Sequence, residues 1–267
     1  MKLGVIGYGN LGKALVRGLV DGGISQETII VNAKSERTRS AVKEAFGQIN
    51  VTESKNELVE KSDAIFLVVE PKNAPEVLAE IGGYNLSEKV LVSFMAGITL
   101  QEIKEMLRDA SECDIIRVMP NIAIATGTGI LGITHDGTDH ETVKEVLQIL
   151  KRLGYAPEMS EAQLDSITVT AASGLAFAAS LLDAYQKAGA GLLANEEQSR
   201  EITLRVFENV IDLARKENCS FEEIVARITT KGGTTEAGLK SLNQEIITDT
   251  LTECMQKSYE KCRRIQE

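Results

Sequence analysis

Short runs of apolar residues alternate with amphipathic helical patterns over the first half of the chain. A continuous apolar run is typical of a strand that is buried on both faces of a sheet. The runs predict strands at Leu3–Ile6, Thr28–Asn32, near Val51, and at Ala64–Val69, Lys89–Phe94 and Ile115–Met119. Strands that alternate with helices through short turns specify an α/β fold with a mostly parallel, doubly wound sheet.

Residues 127–159 extend this sheet. They contain a strand pattern at Gly127–Thr134, a helix over about His140–Leu153 and a short strand near Tyr155–Met159. Ligands in such sheets bind beyond the carboxyl ends of the strands. We therefore expect one crevice to gather the segments that follow the strands, which are Gly7–Leu11, Asn32, Glu70–Lys72, Met95–Gly97 and Met119–Asn121.

The pattern changes after about Ser160, where strand signals end and helical periodicity continues to the C-terminus. Small residues dominate Ile167–Leu193, and so many small side chains allow helices to approach closely. This stretch predicts a buried helix, either within the chain or between subunits. Glu196–Lys216 has an ordinary amphipathic pattern. We predict two domains, a sheet domain over 1–159 and an all-α domain over 160–267.

Composition and charge narrow the function classes. The 267 residues carry a net charge of −10, which argues against a nucleic-acid partner. We expect no membrane partner and a cytoplasmic protein, since the apolar stretches look too short to cross a bilayer and the N-terminus reads as a strand. Four cysteines without a C-x-x-C pair indicate reduced, packing thiols, and two histidines predict no metal site. We expect His135 and His140, beside the turn Asp136–Asp139, to be solvated surface groups.

The first strand ends in a glycine turn. Gly7, Gly9 and Gly12 have the spacing G-x-G-x-x-G, and a helical pattern begins directly after the strand. In such a turn the first glycine permits the tight bend, the second lets the backbone approach a pyrophosphate, and the third lets helix and strand pack closely. The order of strand, glycines and helix predicts a dinucleotide site. A purely structural glycine turn is the alternative.

The end of the second strand indicates which dinucleotide is used. A site for NAD usually has an acidic residue here that binds the ribose 2′-hydroxyl, but this chain has Asn32. Lys34, Arg37 and Arg39 follow closely. A missing carboxylate beside several cations suits a 2′-phosphate and favours NADPH, with NADH as the alternative. These cations would otherwise be a solvated start to the next helix.

A polar turn interrupts the helical half of the chain. Thr229–Thr235 carries four threonine hydroxyls and two glycines ahead of a predicted helix over Glu236–Leu242. A helix N-terminus favours anions, so this turn is a candidate cradle for a small carboxylate. The alternative is a plain turn between helices with Thr235 as the N-cap.

These stretches together resemble the pyrroline-5-carboxylate reductase family over essentially the whole chain. The matching segments are Val5–Gly12, Ala96–Thr99, Arg117–Asn121, Val169–Ala171 with Ser173–Gly174, and Gly232–Thr235 with Gly238–Leu239. The R-x-M-P-N and G-G-T-T signatures are more specific than the glycine turn. The resemblance implies a Rossmann-type sheet domain, a helical C-terminal dimerisation domain that interleaves with a second subunit, and reduction of Δ1-pyrroline-5-carboxylate to L-proline with NADPH or NADH.

The resemblance also implies roles for individual residues. Contacts to the cofactor are implied for Gly7, Tyr8, Gly9, Asn10, Leu11, Gly12, Ala96, Gly97 and Asn121. The end of the second strand adds Asn32, Lys34 and Arg37 to the expected cofactor residues. Contacts to the substrate are implied for Met119, Pro120, Ser173, Thr230, Gly233, Thr234 and Thr235. Thr235 lies nearest the ring nitrogen in this assignment, and it is the candidate catalytic residue. The partners implied are a cyclic imino acid and a second copy of the chain, as a homodimer or an oligomer of dimers.

Several positions depart from the family pattern, among them Glu70, Leu175, Phe177 and Lys231. Apolar bulk at the start of the substrate domain reshapes a pocket, and Glu70 stands where the family has a cation. The alternatives are therefore a paralogue that reduces another cyclic imino acid and a family member that binds without catalysis. Either alternative leaves the predicted fold unchanged.

Overall fold

The computed structural model describes residues 1–107, 113–136 and 140–263 and divides into two compact units. The sheet unit comprises Met1–Ser173 and the end of the chain from Ser258, and the helical unit comprises Gly174–Lys257. The helical pattern that begins near Ser160 thus starts inside the sheet unit. Of the turn beside the two histidines, residues 137–139 lie outside the described ranges.

The sheet unit contains an eight-stranded sheet in the order β3-β2-β1-β4-β5-β6-β7-β8. Its strands are β1 (Leu3–Ile6), β2 (Ile29–Asn32), β3 (Asn50–Thr52), β4 (Ala64–Leu67), β5 (Val90–Ser93), β6 (Asp114–Pro120), β7 (Gly129–His135) and β8 (Gly154–Tyr155). Neighbouring strands are parallel except for the antiparallel pair of β6 and β7. The predicted doubly wound sheet is confirmed.

Helices cover both faces of this sheet. They are α1 (Asn10–Asp21), α2 (Glu36–Ala45), α3 (Lys55–Lys61), α4 (Ala74–Ile81), α5 (Leu100–Leu107), α6 (Glu141–Lys151) and α7 (Glu161–Ile167). Successive strand residues point to opposite faces. Val5 and Phe66 accordingly belong to a core cluster with α1 and α6, whereas Ile65 and Leu91 belong to a second cluster with α3, α4 and α5.

Side chains cap several of these helices. Thr99 and Glu102 form a capping box at α5, in which the Thr99 N–H donates to Glu102 Oε2 at 2.7 Å and the Glu102 N–H donates to Thr99 Oγ1 at 3.2 Å. Ser35 and Ser54 cap α2 and α3 in the same way through their hydroxyls. Sequence therefore sets where these three helices begin.

The helical unit consists of long helices joined by short turns. They are α8 (Gly174–Leu193), α9 (Glu196–Lys216), α10 (Phe221–Ile228), α11 (Thr234–Ser241) and α12 (Gln244–Arg263), the last of which ends in the sheet unit. A methyl group on Gly189 of α8 would lie 2.8 Å from the Ser199 hydroxyl of α9. The small residue thus permits the close approach of these two helices.

The helix α8 differs from its prediction in burial. No residue of α8 is buried within the chain, and Leu192 is 91% exposed. Together with α7 and a π-helical segment at Thr168–Ser173, it forms a continuous helical stretch, Glu161–Leu193, which contains an 18-residue window with a mean hydropathy of 1.5. By length and composition alone this stretch is able to cross a membrane, so the expectation that none is long enough was wrong. Helices that pack in the core of a soluble protein meet the same criteria.

The four cysteines, all within the described ranges, form no disulfide bond. Cys113 is buried, and burial is the main reason that its pKa rises to about 11. Burial also raises the pKa of Cys262, near the end of α12. Both groups are protonated packing residues at neutral pH, as the sequence indicated.

Candidate active site

The glycine turn between β1 and α1 has a backbone that only glycine fits at two positions. Gly7 has a φ of +103°, and a methyl group there would lie 2.3 Å from the carbonyl oxygen of Val68. A methyl group on Gly12 would lie 2.3 Å from the carbonyl oxygen of Gly7. Gly9 differs, since nothing lies within 4 Å of where its methyl group would be. The turn is therefore tight at Gly7 and Gly12 and open at Gly9.

The open side of the turn is the N-terminus of α1. Gly9 is the N-cap, and no side chain caps the helix. The first hydrogen bond of α1 runs from the Lys13 N–H to the Gly9 carbonyl at 2.9 Å, so the preceding N–H groups have no partner within the helix. Its first turn carries no acidic residue. This surface combines backbone donors with the positive end of a helix dipole, which suits a pyrophosphate.

A cleft of about 400 Å³ opens beside this turn at the carboxyl ends of β1 and β2. Five predicted site residues line it, namely Gly7, Tyr8, Gly9, Asn32 and Lys34. Its other lining residues are Ile6, Ala33, Ser35, Thr38, Lys55, Val69, Asn73, Glu76 and Val77. Arg37 is not among the lining residues that the structure describes. The cleft has the place and contents expected for the adenosine half of a dinucleotide.

Sequence reasoning missed Lys55 and Glu76 as cleft residues. Lys55 is only 8% exposed and forms an ion pair with Glu80 of α4, although its position in a charged helix suggests a solvated side chain. Glu76 follows β4 closely in the chain, and the carboxyl end of that strand was expected at the crevice. The position of Glu76 after β4 could therefore have identified it from the sequence. Nothing in the sequence around Lys55 indicates that its side chain is buried.

The loop from β2 to α2 is held by Arg39. Its guanidinium donates to the carbonyl oxygens of Ala33 and Lys34 at 3.1 and 3.0 Å and pairs with Glu36 and Glu53 at 2.6 and 3.1 Å. This pairing lowers the pKa of Glu36. Arg39 thus orders the loop, and Lys34 is the cation of this loop that lines the cleft.

Asn32 closes the inner wall of the cleft. It is buried, and its Nδ2 donates to the carbonyl oxygen of Thr52 on β3 at 3.3 Å. Burial raises the pKa of Tyr8, so the phenol on the other side of the turn is neutral. The wall is therefore polar but carries no charge at these two positions.

A second group of predicted site residues lies at the carboxyl ends of β5 and β6. Gly97 follows β5 with a φ of +74°, beside the predicted residue Ala96, and Met119 and Pro120 end β6. The next residue, Asn121, is buried and accepts from the N–H groups of Ala123 and Ile130 at 3.2 and 3.3 Å. Its Nδ2 donates to the carbonyl oxygen of Ala171 at 3.2 Å. Asn121 therefore ties β6, β7 and the π-helical segment together.

That segment ends at Ser173, whose hydroxyl lies 3.4 Å from the Ser258 hydroxyl of α12. Single π-helical turns within helices are rare and occur often at functional sites. The predicted substrate residue Ser173 is thus the last residue of a widened helical segment. Asn121 holds this segment through its hydrogen bond to the backbone carbonyl of Ala171.

A buried ion pair supports the strand that carries Met119 and Pro120. Arg117 of β6, with 5% of its side chain exposed, pairs with Glu161 of α7 at 2.5 Å. The same carboxylate oxygen accepts from the Leu100 N–H at the start of α5, at 2.7 Å. Arg117 of the R-x-M-P-N signature thus has a structural partner within the protein. Its pair with Glu161 links β6, α7 and the start of α5.

The G-G-T-T turn belongs to the helical unit. Gly232 has a φ of +75°, and a methyl group on Gly233 would lie 2.5 Å from the Thr230 hydroxyl. Gly233 is the N-cap of α11, with no side-chain cap. Thr234 and Thr235 are therefore the first two residues of the helix, and the reading of Thr235 as the N-cap was wrong. Glycine caps the helix because the turn leaves no room for a Cβ atom at Gly233.

The histidines lie apart from the glycine turn. His140 Nδ1 lies 2.7 Å from Asp114 Oδ2, and both line a separate surface cleft with Asp63 and Glu88. His135 lies 3.7 Å from Glu158. Among the described residues, no group of three metal-binding side chains is close enough to hold an ion.

Comparisons with known proteins match the whole chain. Residues 2–97 match the family described as NADP oxidoreductase, coenzyme F420-dependent, and residues 161–265 match the family described as pyrroline-5-carboxylate reductase dimerisation. A pyrroline-5-carboxylate reductase of Aquifex aeolicus is 30% identical over 99% of this chain and 97% of its own length. Pyrroline-5-carboxylate reductase 2 of Bacillus subtilis is 26% identical over 100% of this chain and 95% of its own length.

A solved structure shares the fold over the same length. It is the pyrroline carboxylate reductase of Plasmodium falciparum with NADP bound, which is 26% identical and superimposes with a TM-score of 0.87 over 100% of this chain and 98% of that protein. A pyrroline-5-carboxylate reductase of Coxiella burnetii has the same fold, with a TM-score of 0.86 over 100% of this chain and 98% of that one at 24% identity.

Proposed function

Because the chain belongs to the pyrroline-5-carboxylate reductase family, we propose that it reduces Δ1-pyrroline-5-carboxylate to L-proline with NADPH as the preferred donor and NADH as a weaker one. The observation that carries this proposal is the full-length similarity at 30% identity in a chain that keeps an intact glycine turn. The activity completes the biosynthesis of proline.

The residues present fit a dinucleotide. Gly9 leaves open space over an uncapped helix N-terminus, and Asn32 and Lys34 line the adjoining cleft. We propose that the N–H groups at Asn10, Leu11 and Gly12 bind the pyrophosphate and that Lys34 binds the 2′-phosphate. Arg37 is a weaker candidate for the phosphate because it does not line the cleft. Ala96, Gly97 and Asn121 are proposed to form the wall at the nicotinamide.

Imine reduction makes modest demands on the protein. The carbon needs a hydride and the nitrogen needs a proton, and the bound nicotinamide supplies the hydride. A protonated imine is already electrophilic, so positioning and exclusion of water are the main tasks of the side chains. Met119, Pro120 and Ser173 are proposed to enclose the ring. This division of labour explains how such a site works without an acid–base histidine.

We propose that the G-G-T-T turn binds the substrate carboxylate. Gly233 leaves the N-terminus of α11 without a side-chain cap, whereas Ser35, Ser54, Asn195 and Ser220 cap α2, α3, α9 and α10. Backbone N–H groups and the hydroxyls of Thr230 and Thr234 are suited to an anion at this end of a helix. Thr235, the second residue of α11, is proposed to donate a hydrogen bond to the ring nitrogen.

The proposed activity is tested by following NADPH oxidation. We expect the protein to oxidise NADPH when Δ1-pyrroline-5-carboxylate is added, and Thr235→Val to lower kcat/KM about tenfold, the effect of one lost hydrogen bond of about 1.4 kcal/mol. Thr229→Val is the matched control, since its hydroxyl already donates within α10 to the Val225 carbonyl at 2.7 Å. Unchanged kcat/KM in Thr235→Val would remove Thr235 from the mechanism.

A panel of cyclic imino acids separates the proposed substrate from related ones. Leu175 and Phe177 add apolar bulk at the start of α8, and Glu70 is paired with Lys72 at 2.5 Å, which keeps a cation beside that carboxylate. Turnover confined to a different ring would identify a paralogue. Cofactor binding without any turnover would identify a member that acts by binding.

We further propose a homodimer, or an oligomer of dimers, in the cytoplasm. The dimerisation family matches residues 161–265, and α8 leaves Leu181, Tyr185 and Leu192 exposed. Four described cysteines without a disulfide bond suit a reducing compartment.

The dimer is tested by sedimentation. Burying the apolar side chains of α8 is favourable by about 25 cal/mol per Å², so we expect a dimer at micromolar concentration. Leu192→Glu should raise the dissociation constant by placing a charge in that surface. Gln48→Glu, which adds the same charge at an exposed position outside residues 161–265, serves as the charge control. A stable monomer of the unaltered chain would contradict the proposal.

A further inference from the structure

The cation expected to bind the 2′-phosphate already has a carboxylate partner. Lys34 Nζ lies 3.3 Å from Glu76 Oε1, and both residues line the cleft beside Ser35 and Thr38. A phosphate that binds Lys34 therefore competes with the Glu76 carboxylate for the lysine ammonium group.

Glu76 belongs to a face of α4 that pairs with both lysines of the cleft. Glu80 lies one turn further along α4 and forms an ion pair with Lys55. The two pairs differ in burial, since Lys55 is 8% exposed whereas Lys34 and Glu76 are 74% and 68% exposed. Exposed pairs are weak, whereas a buried cation is held to its partner. Lys34 can therefore exchange partners and Lys55 cannot.

The Glu76 carboxylate stays stabilised when Lys34 exchanges it for a phosphate. Glu76 is in the first turn of α4, where the helix dipole stabilises a carboxylate. Lys34 in turn lies on a loop whose carbonyl groups Arg39 holds, so its side chain moves while the backbone stays fixed. The phosphate competes with a carboxylate for one ammonium group.

We infer that Glu76 sets how strongly the site prefers NADPH to NADH, because it competes with the 2′-phosphate for Lys34. This inference rests on the proposed cofactor role of the cleft. Glu76 is then a specificity-determining residue that acts through Lys34. With Glu76 present, the preference for NADPH over NADH is smaller than Lys34 alone would give.

The test measures binding of two probes that differ by the 2′-phosphate, 2′,5′-ADP and 5′-AMP, by titration calorimetry on the intact protein. We expect the unaltered protein to bind 2′,5′-ADP more tightly than 5′-AMP. Glu76→Gln should strengthen 2′,5′-ADP binding about three- to tenfold and change 5′-AMP binding less than about twofold, and added salt should shrink the gain. Asp21→Asn is the control, since it removes a carboxylate from an exposed ion pair with Arg17 at the far end of α1.

The double variant decides whether Glu76 acts through Lys34. Lys34→Gln should abolish the preference for 2′,5′-ADP, and adding Glu76→Gln to it should then change little. A full-size gain in the Lys34→Gln background would overturn the inference, because Glu76 would then repel the phosphate directly. Unchanged selectivity in Glu76→Gln with normal 5′-AMP binding would overturn it as well. Failure of both probes and of NADPH to bind would overturn the proposed cofactor site and the inference with it.

Discussion

Replacing Gly9 by alanine should leave the fold intact and weaken NADPH binding at least about tenfold, a loss of 1.4 kcal/mol or more. The backbone at Gly9 has a φ of −74°, which alanine adopts readily, and its methyl group would meet no atom within 4 Å. That empty space is where the pyrophosphate is proposed to approach the N-terminus of α1. Fluorescence titration with NADPH, together with a thermal melt, measures binding and stability separately.

Two other glycines provide the contrast. Gly12→Ala places a methyl group 2.3 Å from the carbonyl oxygen of Gly7, so it should lower stability as well as binding. Gly47 also has open space around it but does not line the cleft, and Gly47→Ala should change neither property. Unchanged NADPH binding in Gly9→Ala would show that the pyrophosphate lies elsewhere.

Removing the carboxylate at Glu161 should destabilise the protein by about 3 kcal/mol, since breaking a buried ion pair leaves an uncompensated charge in the interior. Glu161→Ala would leave the Arg117 guanidinium buried and the Leu100 N–H at the start of α5 without its acceptor. We expect the low end of the usual range because Glu161 itself is 34% exposed. Urea unfolding at one fixed protein concentration measures the change, since an oligomer's stability depends on concentration.

Asp21→Ala is the matched control for this pair. Asp21 binds Arg17 at a similar distance, 2.6 Å, but both side chains are well exposed. Its removal should change the free energy of unfolding by less than about 1 kcal/mol. Equal losses in the two variants would show that burial does not set the strength of the Arg117 pair.

Local chemistry explains which elements were predictable. The apolar strands β1, β4 and β5 are buried on both faces, and a run of apolar residues can mean little else at that length. The capping box of Thr99 and Glu102 is a local pattern that marks the start of α5 in the sequence. Strand ends were less accurate, and β4 ends at Leu67 although the apolar pattern continues to Val69. One more hydrogen bond follows, from the Val68 N–H to the Ile6 carbonyl oxygen of β1 at 2.8 Å, before the chain leaves the sheet, and the residues themselves do not encode that point.

Parts of the site depend on contacts between distant segments. The three hydrogen bonds of Asn121 reach Ala123, Ile130 and Ala171, and no local pattern announces such partners. Lys55 is buried only because Glu80 of another helix neutralises it. Sequence reasoning found the motifs that contain the candidate residues and missed these supports, since they exist only after the chain has folded.

The uncapped start of α1 has a consequence for the lifetime of the protein. Glycine at the N-cap position contributes no side-chain bond to the helix, so an anion bound there would supply the missing acceptor. A ligand that binds only the folded chain stabilises it by about 2.7 kcal/mol at a hundredfold excess over its dissociation constant. Proteolysis that proceeds through the unfolded chain would then slow as the cellular concentration of the dinucleotide rises. The same glycine that admits the cofactor would link the abundance of the enzyme to the supply of reducing equivalents.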